Sequence, residues 1–113
     1  MNTSELVYQG DLRTIATHVF SNTKIFTDAP LDNNGKGQSF SPTDLVATAL
    51  VACMITIMGI EAEKKKIDLK DTKIFVVKIM ANNPRRIVKV DINFEIPKRN
   101  LSSEQKNCLR IWH

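Results

Sequence analysis

The run from Leu45 to Ile60, LVATALVACMITIMGI, constrains this chain more than any other part of it. It carries no charged residue, and Ser41-Pro42-Thr43-Asp44 stands directly before it. Serine is a strong helix N-cap, proline fits the first helical position, and an aspartate three residues after the cap completes an S-x-x-D capping box. The spacing predicts a helix that opens at Pro42. A surface helix would show a polar stripe. This one is apolar on nearly every face, so the expectation is a helix buried all round. Only past Gly59 does it turn polar, with Glu61, Glu63 and Lys64–Lys66, and the lysines suit the negative end of the helix dipole. Thr48 and Thr56 interrupt the run, which is shorter than the ~18–20 residues of a membrane span. No membrane association is expected.

Such a helix has to be covered, and 113 residues offer a single domain to cover it with. Apolar residues at 42% and charged residues at 25% are ordinary globular usage, which excludes collagen-like and wholly disordered chains. Sixteen Lys and Arg against twelve Asp and Glu give a net charge of +4, too mild an excess to demand a polyanionic partner. Two cysteines are too few for a disulfide framework or a four-cysteine zinc site. The first residues, MNTSELVYQGDL, lack the apolar core of a signal peptide. The expected compartment is the reducing cytoplasm, where thiols stay free.

Strands are predicted on both sides of the helix. Leu12–Phe20 is rich in β-branched residues, and Gly10-Asp11 before it is a turn signal that makes Leu6–Gln9 the other arm of a hairpin. Lys24–Thr27 follows the Ser21-Asn22 turn pair. Pro30–Ser39, with Asp32, Asn33, Asn34, Gly35 and Gly37, has the composition of a loop. Beyond the helix, Thr72–Met80 and Ile87–Ile96 are predicted strands joined by the Asn82-Asn83-Pro84-Arg85 turn. In the second, Val88, Val90, Ile92, Phe94 and Ile96 alternate with Ile87, Lys89, Asp91, Asn93 and Glu95, which predicts one dry and one wet face. A second helix is expected from Ser102, and His113 falls about three turns into it, an ending that reads as truncation.

Few residues offer chemistry. Cys53, among Val51, Ala52, Met54 and Ile55, is either a small hydrophobe in a core or a thiol that needs an electropositive partner from another element or another subunit. Arg13, in a strand of Leu12, Thr14 and Ile15, is either that partner or an ordinary surface arginine. Cys108 lies in an amphipathic pattern that favours packing. His18 and His113 have no carboxylate or cysteine at ligand spacing, so neither is assigned to a metal or to acid–base work. Gly35-Lys36-Gly37 is not a phosphate-binding loop, because no strand feeds a GxxxxGK[ST] pattern. Lys64–Lys66 and Arg85-Arg86 are short solvated runs, and aromatics at 6% provide no base-stacking surface.

The segment SFSPTDLVATALVACMITIMGIEA resembles the central helix of the osmotically inducible protein C and organic hydroperoxide resistance (OsmC/Ohr) family. The shared features are Ser-Pro before the helix, an Ala- and Leu-rich apolar run, and a cysteine well inside it. YQGDLRT, KIFTDAP and the Asn33–Gly37 loop resemble the same family's N-terminal meander, so the likeness spans the chain. It implies an α+β fold of antiparallel sheets around a long buried central helix, in an intertwined homodimer whose active sites draw on both subunits. It implies thiol-dependent reduction of organic hydroperoxides, with Cys53 as the attacking thiolate and Arg13 stabilising it and orienting the peroxide. No cofactor is implied, only an external thiol or dithiol reductant.

Two positions depart from the family pattern. Its peroxide-reducing branches carry, directly after the proline, the carboxylate that holds the arginine; here Thr43 stands there and Asp44 one step later. From Asp44 to Cys53 an ideal helix turns through about 900°, which puts the two on opposite faces and leaves Asp44 better explained as a cap. The family's second cysteine, in a Cys-Pro motif, has no counterpart: LRIWH resembles the stretch just before it, and Cys108 lies about two turns too early. The expectation is a hydroperoxide-reducing scaffold impaired by that loss. The alternatives are a small-ligand-binding protein on the same dimeric fold and, from another class, a basic nucleic-acid-binding module, which the modest charge disfavours.

Overall fold

A computed structural model describes residues 1–97 of the chain. The strands β1 (Ser4–Gly10), β2 (Arg13–His18) and β3 (Lys24–Asp28) come first, then a 3-10 turn at Leu31–Asn33. The helix α1 (Pro42–Lys64) and the strands β4 (Lys73–Ala81) and β5 (Arg86–Glu95) complete the order. The result is α+β: an antiparallel three-stranded sheet β1-β2-β3, one long helix, and an antiparallel pair β4-β5. Two compact units divide the chain, the first Met1–Val46 and the second beginning at Ala47. The helix expected from Ser102, with Cys108 and His113, lies outside the described residues.

In the first unit the predicted hairpins form with shifted boundaries. Leu12 belongs to the β1–β2 turn, not to a strand: Gly10, Asp11 and Leu12 all take positive φ. The β2–β3 register pairs Thr17 with Lys24 and runs to Arg13 opposite Asp28. After β3 the chain doubles back in a loop that fastens to the edge of that strand. The Asp28 amide donates to the Phe40 carbonyl at 3.0 Å, Gly37 N donates to Ala29 O at 3.2 Å, and Ser39 Oγ donates to Phe26 O at 2.9 Å. Two glycines make this close return feasible. A side chain on Gly35 would collide with the Ala29 carbonyl, and Gly37 has φ +62°.

The helix opens as its cap sequence predicts. Asp44 N donates to Ser41 Oγ at 3.1 Å and Ser41 N donates to Asp44 Oδ2 at 3.0 Å, the reciprocal pair of a capping box. The expected burial all round is not observed. Ala47, Val51, Met58 and Ala62 are buried, but Val46, Leu50, Cys53, Ile57 and Ile60 are exposed on this chain. Their spacing of four and three residues is that of a coiled-coil seam. At 23 residues α1 is also longer than the apolar run suggested, and by length and composition alone it could cross a membrane, a test that core helices of soluble proteins also pass.

The core of the second unit is apolar. Met58, Ala62 and Ile67 are buried together, with Ile55, Leu69, Phe94 and Ile96 packed against them. In β5 the predicted alternation holds from Val90 to Glu95 and fails before it. A bulge after Met80–Ile87 leaves Val88 as the extra residue, so Ile87 turns inward and Val88 is 52% exposed. One added residue reverses which side of a strand each side chain occupies.

Candidate active site

Arg13 is placed by the sheet. It opens β2, directly opposite Asp28 at the end of β3, and that register brings the two side chains into a side-on fork. Nε donates to Asp28 Oδ1 at 2.7 Å and Nη2 donates to Asp28 Oδ2 at 2.8 Å. Arginine matches a carboxylate in this way because its donors are coplanar and fixed in spacing. Gln38, on the returning loop, adds two contacts: its Oε1 accepts from Arg13 Nη2 at 2.7 Å, and its amide donates to Asp28 Oδ2 at 3.1 Å. Next along the ladder, the paired Thr14 and Thr27 hydroxyls share a short hydrogen bond.

The electrostatics follow from the contacts. The Asp28 side chain is 1% exposed, yet the Arg13 hydrogen bonds hold its carboxyl below the ordinary range against the opposing effect of burial. The Arg13 charge, the Gln38 amide and the Lys36 charge act in the same direction. Arg13 is raised above its ordinary value, first by the bonds to Asp28. Its side chain remains 30% exposed. With Nε and Nη2 occupied, the two hydrogens on Nη1 are the donors with no partner among the described residues. The cluster can therefore present a fixed positive edge to an oxygen or a thiolate.

The carboxylate that holds Arg13 is thus Asp28, not one at the start of the helix. Asp44 serves the cap, as its spacing predicts. Neither Asp28 nor Gln38 stood out in the sequence. For Asp28 a signal was present: folding the chain about Phe20–Ser21, beside the Ser21-Asn22 turn pair, sets Arg13 opposite it. For Gln38 there was none beyond the glycines of the loop.

Cys53 is a free thiol and exposed, in the middle of the apolar stripe on α1. A thiol sealed in the core of its own chain is therefore not what the helix provides. His18 is exposed, with Nδ1 2.6 Å from Ser21 Oγ in the β2–β3 turn. Lys36 lies 3.9 Å from Asp11 and Lys64 3.2 Å from Glu61, both solvent-side pairs. Among the described residues no three His, Cys, Asp or Glu side chains are grouped as a metal site would require. A pocket of about 660 Å³ lined by Asp71, Thr72, Lys73, Glu95, Ile96 and Pro97 contains neither Arg13 nor Cys53.

Residues 35–112 match the OsmC-like protein family, well over half of the chain. The chain belongs to the OsmC family. It is also similar in structure to a protein of Psychrobacter arcticus 273-4 assigned to osmotic stress induction and detoxification response, with a TM-score of 0.89 and 47% sequence identity. That likeness covers 99% of this chain and 81% of the Psychrobacter chain. No curated protein matches the sequence.

Proposed function

We propose that this protein serves stress defence by reducing organic hydroperoxides with the thiol of Cys53. The thiolate attacks the outer peroxide oxygen and the O–O bond breaks. The alkoxide takes a proton from solvent to leave as the alcohol, and Cys53, oxidised by two electrons, becomes a sulfenic acid. An external thiol then condenses with the sulfenic acid, releasing water, and a second thiol cleaves the mixed disulfide to restore Cys53. In this reading an Arg13, from the same chain or from its partner, reaches the sulfur.

The observation that carries the proposal is the anchored arginine. An ordinary surface arginine has no need of a carboxylate buried beneath it, whereas a guanidinium that must orient a peroxide does. Family membership and the Psychrobacter protein's assigned detoxification role support the same direction. We infer a homodimer as well: the stripe Val46, Leu50, Cys53, Ile57 and Ile60 has the spacing by which one helix packs on another. We assign the protein to the cytoplasm, where reductant keeps a thiol such as Cys53 free.

The test is the pH dependence of Cys53 alkylation in a Cys108→Ser background, with and without Arg13→Ala, beside titration with an organic hydroperoxide and a sulfenic-acid trap. The expected midpoint lies below the ~8.5 of a free cysteine and rises when Arg13 is removed. A thiol that does not titrate below pH 8 and ignores both peroxide and Arg13 favours a ligand-binding protein instead. For the dimer, Ile57→Lys should leave the chain folded, since this side chain is 53% exposed, and shift sedimentation to a monomer. An unaltered wild-type monomer at micromolar concentration removes the dimer from the account.

A further inference from the structure

We infer that Gln38 is a positioning residue for Arg13, the third point of a clamp that leaves only the Nη1 edge of the guanidinium available. The inference rests on the thiol-based reading of Cys53 and Arg13 given above. Asp28 alone does not fix what the arginine presents. A side-on carboxylate engages Nε and one hydrogen of Nη2, and the second hydrogen of Nη2 then competes with Nη1 for any approaching oxygen. Gln38 Oε1, 2.7 Å from Nη2, takes up that hydrogen. Because the side-chain oxygen carries no charge, it directs the guanidinium without cancelling its positive edge.

Gln38 is itself held from its backbone. Its amide is bonded to Asp28 Oδ2, and on either side of it Gly37 N and Ser39 Oγ are bonded to Ala29 O and Phe26 O. Gly35 permits this approach because any side chain there would strike the Ala29 carbonyl. The loop therefore delivers one acceptor to one nitrogen. Since those backbone bonds do not depend on the Gln38 side chain, the residue can be changed without undoing the loop. That separation makes the role testable.

The experiment is a double-mutant cycle on the full chain, in a Cys108→Ser background, pairing Gln38→Ala with Arg13→Ala and repeating it with the near-isosteric Gln38→Met. Two quantities are read: the pH midpoint of Cys53 alkylation by iodoacetamide, and the rate of Cys53 oxidation by an organic hydroperoxide. Loss of one hydrogen bond to a charged group should slow oxidation about tenfold and raise the midpoint by up to about one unit. Both effects should vanish in the Arg13→Ala background, because Gln38 acts through Arg13. A merely structural residue would shift the urea midpoint equally in both backgrounds and leave the thiol midpoint alone. That result, or a Gln38→Ala protein with wild-type values, overturns the inference. A wild type inert to hydroperoxide but with a low, Gln38-sensitive thiol midpoint sinks the peroxidase reading and keeps the clamp. A reactive wild type indifferent to Gln38 does the reverse, and a thiol indifferent to Arg13 overturns both.

Discussion

The two units of this chain are held by different chemistry. In Met1–Val46 the buried residues are Thr27, Asp28 and Ser41, all polar; in the described part of the second unit they are Ala47, Val51, Met58, Ala62 and Ile67, all apolar. The first unit is ordered by directed bonds: the Arg13–Asp28 fork, the Thr14–Thr27 pair, the Ser41–Asp44 box and the returning loop. The second is ordered by packing around Met58. Hydrogen bonds specify geometry at modest net stability, whereas burial of apolar area stabilises without regard to direction. A cluster that fixes a guanidinium in one orientation belongs in the first kind of structure.

Removing packing should produce the largest loss. Met58→Ala, at a site 2% exposed, should cost about 2–5 kcal/mol in denaturant unfolding. If it costs less than Ser41→Ala, the second unit is not held as described. Gly35→Ala should be next, at about 1–3 kcal/mol, since the added methyl must displace the Ala29 carbonyl or the loop. It should also lift the thiol midpoint of Cys53 in the way Gln38→Ala does. A Gly35→Ala protein with wild-type stability would show that the loop can settle elsewhere. Ser41→Ala should cost about 1 kcal/mol through the lost cap, with little effect on the apolar core around Met58.

The most local effect concerns acid. Asp28 has a lower carboxyl pKa folded than its ordinary unfolded value of ~3.9, so its contribution is complete above that value and is lost as pH falls through the folded one. Protection of the Gln38 amide from hydrogen exchange, corrected for intrinsic rate, should fall in that acid window while amides of β4 and β5 hold. Simultaneous loss in both regions would show a single cooperative structure and erase the contrast.

The sequence was most informative where chemistry is local. Ser41 and Asp44 are three residues apart, and their spacing alone predicts the box that forms. The strand β5 was legible from alternation, but the bulge at Val88 was not, because a strand's period carries no mark of an extra residue. Arg13 and Asp28 lie fifteen residues apart and meet only through hairpin register. Position 53 was ambiguous for another reason: hydropathy does not distinguish a buried helix face from an exposed apolar one.

The triply bonded Asp28 carboxylate has a consequence for proton traffic. It accepts from Nε, Nη2 and the Gln38 amide, and its pKa is lowered while that of Arg13 is raised. Across neutral pH, then, neither member of the pair changes charge. The cluster can attract and align, yet it can serve neither as the base that strips a thiol nor as the acid that protonates a departing alkoxide. Any titration of the reaction across that range would have to come from a group outside this pair, and the departing oxygen would draw its proton from outside it as well.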